Sequence, residues 1–304
     1  MAAASDPGTG RCVTELATCT DRIAAAYGCP MDEITLHYRS AALLDSIVGA
    51  IGEAGIDLSE LTVDHLGPVD EFHIGGRAAT EGLMERARIL PGSRILDVGS
   101  GVGGTARFLA ANGLHSVTGV DLTPEYVETA SALTDLVGLD GSVEFHLADV
   151  LDLPMKSSSF DVAVMLHVGM NIEDKASAFS EVARVLVDGG LFVIYDIMGP
   201  RNAALEYPVP WAGSAAGSFL ATIDEYVDVL EATGFEVKHV GDRSESARQF
   251  FSGLRHRKGP PPHLGLHLLM GDEAPVRYGN MVDGVETGAI APVEIIASVQ
   301  PQLS

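Results

Sequence analysis

The stretch Ile95-Leu96-Asp97-Val98-Gly99-Ser100-Gly101-Val102-Gly103-Gly104 constrains the fold more than any other part of the chain. It reads as a buried strand that breaks into a glycine turn and then opens a helix. Glycines at alternate positions (Gly99, Gly101 and Gly103) let the backbone take positive φ and approach a ligand closely. The helix that follows, over residues 105–111, offers unpaired N–H groups and the positive end of its dipole. A second strand, residues 115–120, ends in Asp121, 22 positions beyond Gly99. That is close to the spacing of about 20 at which a carboxylate binds a ribose hydroxyl. Together these residues predict a nucleoside-containing cofactor.

The cofactor need not be a dinucleotide. The run G-S-G-V-G-G departs from the dinucleotide fingerprint G-x-G-x-x-G. Asp97, two residues ahead of Gly99, suits a cationic ammonium and would sit badly beside a pyrophosphate. The pattern Asp-x-Gly-x-Gly-x-Gly resembles motif I of the class I S-adenosylmethionine (SAM) methyltransferases. The cofactor this implies is SAM, with S-adenosylhomocysteine as product.

From residue 93 to residue 242 strands alternate with helices. Strands are expected near 94–99, 116–121, 142–147, 160–166, 190–197 and 235–241, with helices near 104–112, 124–138, 173–187 and 222–233. Pro124 sits at a helix start, and Gly189-Gly190 and Gly234 follow helix ends. Such alternation predicts a parallel sheet with right-handed crossovers. Residues 290–298 read as a last strand, which the resemblance makes antiparallel. The expected fold class is therefore α/β: a doubly wound, mostly parallel, seven-stranded Rossmann-like sheet. It is expected to carry a helical N-terminal cap (1–90) before the SAM-binding domain (91–304), with a helical lid insertion at 244–285.

Net charge is −23, from 19 basic and 42 acidic residues. Such a chain repels nucleic acid and anionic membranes. The charge permits a cationic acceptor and equally fits a solubility or salt adaptation. The three cysteines (Cys12, Cys19 and Cys29) form no C-x-x-C, so neither a disulfide framework nor a zinc site is expected. No apolar run reaches the ~18 residues of a membrane span. A cytoplasmic protein is expected, with no metal, and a homodimer is left open.

The resemblance extends over residues 70–242 and the final strand. It implies cofactor contacts from Asp97, Gly99, Ser100, Gly101 and Gly103, from Asp121 and Leu122 after the second strand, and from Asp149 and Val150 after the third. Asp149 corresponds to the acid that accepts from the adenine amino group. His167, ending the fourth strand, would lie near the transferring methyl, as cofactor contact or as base. Residues 70–80, with His73, Gly75 and Gly76, resemble the segment ahead of motif I in sarcosine and dimethylglycine methyltransferases, where it closes over the methionine end of SAM. Residues 195–220 resemble the same group. There Trp211 could hold a cationic amine through its π face or simply pack. Tyr38, Tyr195, Trp211 and His267 are the candidate substrate contacts, and His167 and His73 the candidate bases. His263 and His267, four apart, read as half a metal site or, preferably, as part of a lid. The expected partner is a small-molecule methyl acceptor, an amine nitrogen first. The alternatives are O- or C-methyl transfer, a nicotinamide-dependent oxidoreductase, and a non-catalytic SAM-binding protein.

Overall fold

A computed structural model describes residues 43–113, 115–256 and 262–301. In chain order it contains α1 (Leu43–Glu53), α2 (Val63–Asp70), α3 (Gly76–Ala87), β1 (Arg94–Val98), α4 (Gly104–Gly113), β2 (Ser116–Asp121) and α5 (Pro124–Leu136). These are followed by β3 (Val143–Leu147), β4 (Phe160–Leu166), α6 (Lys175–Val185), β5 (Leu186–Met198), α7 (Ile223–Ala232) and β6 (Phe235–Asp242). The chain then forms α8 (Ser244–Arg255), α9 (His267–Met270), α10 (Ala274–Thr287) and β7 (Ala291–Val299).

The seven strands form one sheet in the order β3-β2-β1-β4-β5-β7-β6. All neighbours run parallel except β7, which is antiparallel to both β5 and β6. This is the doubly wound, mostly parallel sheet expected. The central strands are apolar along their length because helices cover both faces. On one face Phe179, Val182, Tyr226 and Leu230 of α6 and α7 pack on β1, β4 and β5. On the other, Leu83 of α3 and Ala106 and Leu109 of α4 pack on Ile95, Val117 and Val164. The helices start where side chains satisfy free backbone N–H groups. Thr222 and Glu225 form a capping box at α7, and Asp174 accepts from Ser177 N at α6.

Two details differ from expectation. β5 begins at Leu186, since the chain leaves α6 straight into pairing with Phe160; the register then shifts before Val162 meets Leu191. The division at residue 90 also runs through a packed core, because Leu83 and Ala87 of α3 share a cluster with Ile95 of β1. The helices that stand apart from the sheet are α1 and α2, which cluster with Leu133 of α5 and Leu269 of α9. α8 and α10 cover the far side, with Phe251 and Met281 against Ile197 and Trp211. No helix among the described residues is long and apolar enough to cross a membrane.

The order reverses direction between β1 and β4. In open α/β sheets ligands bind beyond the carboxyl ends of the strands at such a switch point, which fixes where a site belongs.

Candidate functional site

A cleft opens there, walled by Asp97 to Val102 after β1, Val120 to Thr123 after β2, and Leu166 to Val168 after β4. The glycine turn is held by Gly99 N and Ser100 N, which donate to Val120 O at 2.8 and 2.9 Å. Gly101 N donates to Asp121 Oδ2 at 2.9 Å, and Thr123 N donates to Asp121 Oδ1 at 2.8 Å. The acid that ends β2 therefore organises the glycine loop as well as facing the cleft.

The three alternate glycines have different jobs. All have positive φ: 69°, 53° and 86° at Gly99, Gly101 and Gly103. A Cβ on Gly99 would strike the side chain of Val168, so this glycine lets β4's end cross β1's end. A Cβ on Gly101 would meet only open space at the cleft. A Cβ on Gly103 would come within 2.6 Å of Phe145 and 2.7 Å of Arg107. Gly103 lies off the cleft wall and serves helix-to-sheet packing.

The cleft's charges are unusual. Asp97 is 2% exposed, and its Oδ2 has no partner among the described residues. Burial, then the charge of Asp121, pushes its carboxyl up to about 7. Burial raises Asp121 too, against the N–H groups that it accepts. Ser100 Oγ is likewise buried without a described partner. Leu122, Ala148 and Val150 supply an apolar wall. Asp149 is not part of that wall, although both neighbours are. Its carboxylate Oδ1 accepts from Leu151 N at 2.9 Å and shapes its own loop, between the two wall residues Ala148 and Val150.

A second, larger cavity of about 610 Å³ abuts the cleft. Phe72, His73 and His167 line both spaces. The two imidazoles stand edge to face, centroids 5.9 Å apart. His167 takes a left-handed backbone, φ 56°, while its N–H donates to Tyr195 O at 2.7 Å. A non-glycine residue held there marks a conformation imposed by its surroundings. Its ring Nε2 is buried with no described partner. His73 Nε2 lies 2.9 Å from Thr80 Oγ1, whose hydroxyl donates to Glu71 Oε2 at 3.0 Å. With the Thr80 proton so used, His73 Nε2–H is the donor to Thr80. Burial lowers the pKa of both rings. For His167 the charge of His73 adds to this, and its pKa falls well below the ordinary value. Both are neutral at pH 7 and able to accept a proton.

Trp211 and His267 line the large cavity, as do Met170, Phe250 and Tyr278. Trp211 is fixed by Nε1–H donation to Ser218 Oγ at 3.0 Å. Tyr195 reaches neither space. Its hydroxyl donates to Ile74 O at 3.0 Å, and its ring backs both histidines. It is a strut behind the two imidazoles. Gly76 lines the large cavity, and Gly75, at φ 90°, ends the turn into α3. Tyr38 and the three cysteines lie outside the described residues. His263 meets Glu53 at 3.1 Å rather than joining His267, and no metal-holding cluster occurs among the described residues.

Sequence reasoning missed the Asp70–Arg107 pair, fully buried at the cleft's back. Arg107 Nη2 also donates to Val102 O at 2.7 Å. It missed Phe72 and Asn171 as well. Nothing in an isolated Arg or Phe marks such a position; the only signal was the polar residue within an otherwise apolar helix face.

Residues 96–194 match the family model described as a methyltransferase domain. Methyltransferase GfsG of Streptomyces halstedii is 31% identical over 183 residues, 59% of this chain and 66% of that protein. An O-methyltransferase of Pyrenophora dematioidea is 28% identical, over 63% of this chain and 72% of its own length. Among solved structures, the [4+2]-cyclase SpnF aligns with a TM-score of 0.61 at 21% identity, covering 87% of this chain and 96% of that one. A putative sarcosine dimethylglycine methyltransferase from Galdieria sulphuraria aligns at 0.58 and 17%, covering 74% and 85%. These structural likenesses carry the fold, and the family model carries the chemistry, setting the nicotinamide alternative aside. Residues 96–194 thus form a methyltransferase domain, in a fold shared with methyltransferases solved in complex with SAM.

Proposed function

We propose that the protein methylates a hydroxyl of a small molecule, with His167 as the base beside the acceptor oxygen and His73 as its neighbour. The observation that carries this is that both histidines line the cofactor cleft and the large cavity at once. The cleft fits SAM by the chemistry of its donors. The orphaned Asp97 carboxylate matches an ammonium, the Asp121 carboxylate matches ribose hydroxyls, and the bare backbone at Gly101 leaves room for close approach. Leu122 and Val150 would flank the adenine. Bound SAM supplies a methyl already activated on a sulfonium, which departs as a neutral thioether.

The protein's share is alignment, exclusion of water and proton removal. An acceptor hydroxyl gives its proton to His167 Nε2 as the oxygen bonds to the methyl carbon. The positive charge gained by the imidazole pair is offset by Glu71, whose Oε2 lies 3.4 Å from His73 Nε2. Helices α1, α2 and α8 to α10 form the lid in this reading.

An amine acceptor is the second reading. Trp211 on the cavity wall favours it, since an indole face attracts a cation. Against it, the one carboxylate on that wall among the described residues, Glu71, is engaged by Arg77 and Thr80. Release of S-adenosylhomocysteine, followed over panels of alcohols, phenols and amines, tests the assignment. Turnover of a hydroxyl acceptor, falling ~10²–10⁴-fold in His167→Ala, is expected. Turnover unaffected by that substitution would overturn the role of His167.

A further inference from the structure

We infer that the large cavity takes a bulky, uncharged, lipophilic acceptor, a multi-ring phenol or alcohol, with its reacting hydroxyl at the His73–His167 end. This rests on the methyl-transfer reading and goes beyond it by naming the class of acceptor. Three observations carry it.

The first is size. About 610 Å³ lies in the middle of the roughly 300–1,000 Å³ that drug-sized ligands occupy. An amino acid or a methylated glycine would leave most of it to water against apolar walls.

The second is the distribution of polarity. Most of the wall is carbon and sulfur, with Ile74, Met170, Trp211, Phe250 and Met281 among it, and the Tyr278 hydroxyl is one of its few polar atoms. Methionines adapt to irregular apolar shapes, and Met270 adds a third to this wall. The end shared with the cofactor cleft carries His73 and His167.

The third is charge. Glu71 is held by Arg77 and Thr80, and the same bond uses Arg77 Nε, while Arg77 Nη1 faces Asp64 at 3.7 Å. The described wall thus presents paired charges from Glu71 and Arg77, and the neutral imidazoles of His73 and His167, to its contents. A strongly charged acceptor would lose its hydration there against a wall whose one spare charged donor among the described residues is Arg77 Nη2, already paired through Nε with Glu71. For such a cavity, apolar area supplies the affinity and the histidine end supplies orientation.

The chain's single tryptophan, Trp211, stands in this wall and reports on its contents directly. The experiment measures Trp211 fluorescence against phenols of increasing size, from phenol to the four-ring phenol estradiol, and against sarcosine. SAM binding is measured by calorimetry on the same samples. Affinity is expected to rise at least tenfold from phenol to estradiol, with no response to sarcosine. Ala274→Phe places a ring inside the cavity, and Leu254→Glu places a charge on its more exposed wall. Each is expected to weaken estradiol at least tenfold while leaving SAM binding within twofold. Two substitutions on different helices keep the test decisive should one fail to fold. Size-independent affinity, estradiol binding unaffected by either substitution, or sarcosine binding and methylation would overturn the inference. Loss of SAM binding by the unaltered protein would instead overturn the methyl-transfer reading, and the fluorescence series would still judge the cavity.

Discussion

Asp97 and the glycines beside it show how one short turn divides its labour. Asp97 titrates near 7 because it is buried and faces Asp121. An ammonium placed against it favours the charged form, so SAM binding below that pH must expel a proton. SAM affinity should therefore rise with pH up to about 7 and fall about tenfold per unit below it. Calorimetry from pH 5.5 to 7.5, in buffers of different ionisation enthalpy, would detect both the slope and the released proton. Asp97→Asn should flatten the slope and weaken binding. The glycines give a paired prediction. Gly103→Ala forces a methyl against Phe145 at positive φ and should cost ~2–4 kcal/mol of stability. Gly101→Ala has open space and should cost about 1 kcal/mol of stability, yet weaken SAM at least tenfold by occupying the cleft. Urea midpoints and SAM titrations on the two variants separate these outcomes. Sequence alone could not distinguish them, since both glycines sit at equivalent spacing and differ only in what the fold brings opposite.

At the scale of elements, the strands and crossover helices were legible almost residue by residue. Buried parallel strands write themselves as unbroken apolar runs, and the turns between them carry Gly, Pro and capping residues. The large cavity was not legible. Its walls come from residues as far apart as Gly67 and Met281, and five separate segments must meet before it exists. The bond that Tyr195 makes was hidden for a related reason. The residue lies next to the histidines in space, but the strand turns it to a structural bond with Ile74. Asp70–Arg107 was invisible too, and it is the tie that joins α2 to α4 behind the cleft. Both side chains are fully buried, and Asp70 is still pushed up to about 6 by burial despite Arg107. Removing one member leaves the other's charge without compensation. Arg107→Ala should cost ~3–5 kcal/mol, read as a lower urea midpoint. The double variant Arg107→Leu with Asp70→Leu should recover much of that loss, because an apolar pair strands no charge.

For the whole molecule the governing quantity is the net charge of −23. Carboxylates that repel one another across the surface oppose the compact state. Salt shortens the reach of that repulsion from ~10 Å at 0.1 M to ~3 Å at 1 M. Stability should therefore rise with added sodium chloride. The field of the same carboxylates attracts a cationic cofactor, and SAM carries a sulfonium and an ammonium against one carboxylate. Screening weakens that attraction, so SAM affinity should fall over the range of salt that raises the melting temperature. An uncharged phenol in the large cavity feels neither effect and should bind equally or slightly more tightly as salt increases. Thermal denaturation together with SAM and estradiol titrations between 0.05 and 1 M sodium chloride gives three slopes. Opposite signs for stability and SAM affinity, with a flat or rising phenol response, are expected. A phenol affinity that falls in step with that of SAM would mean the phenol occupies a charged site, against the division of the molecule into a charged cofactor cleft and an apolar acceptor cavity.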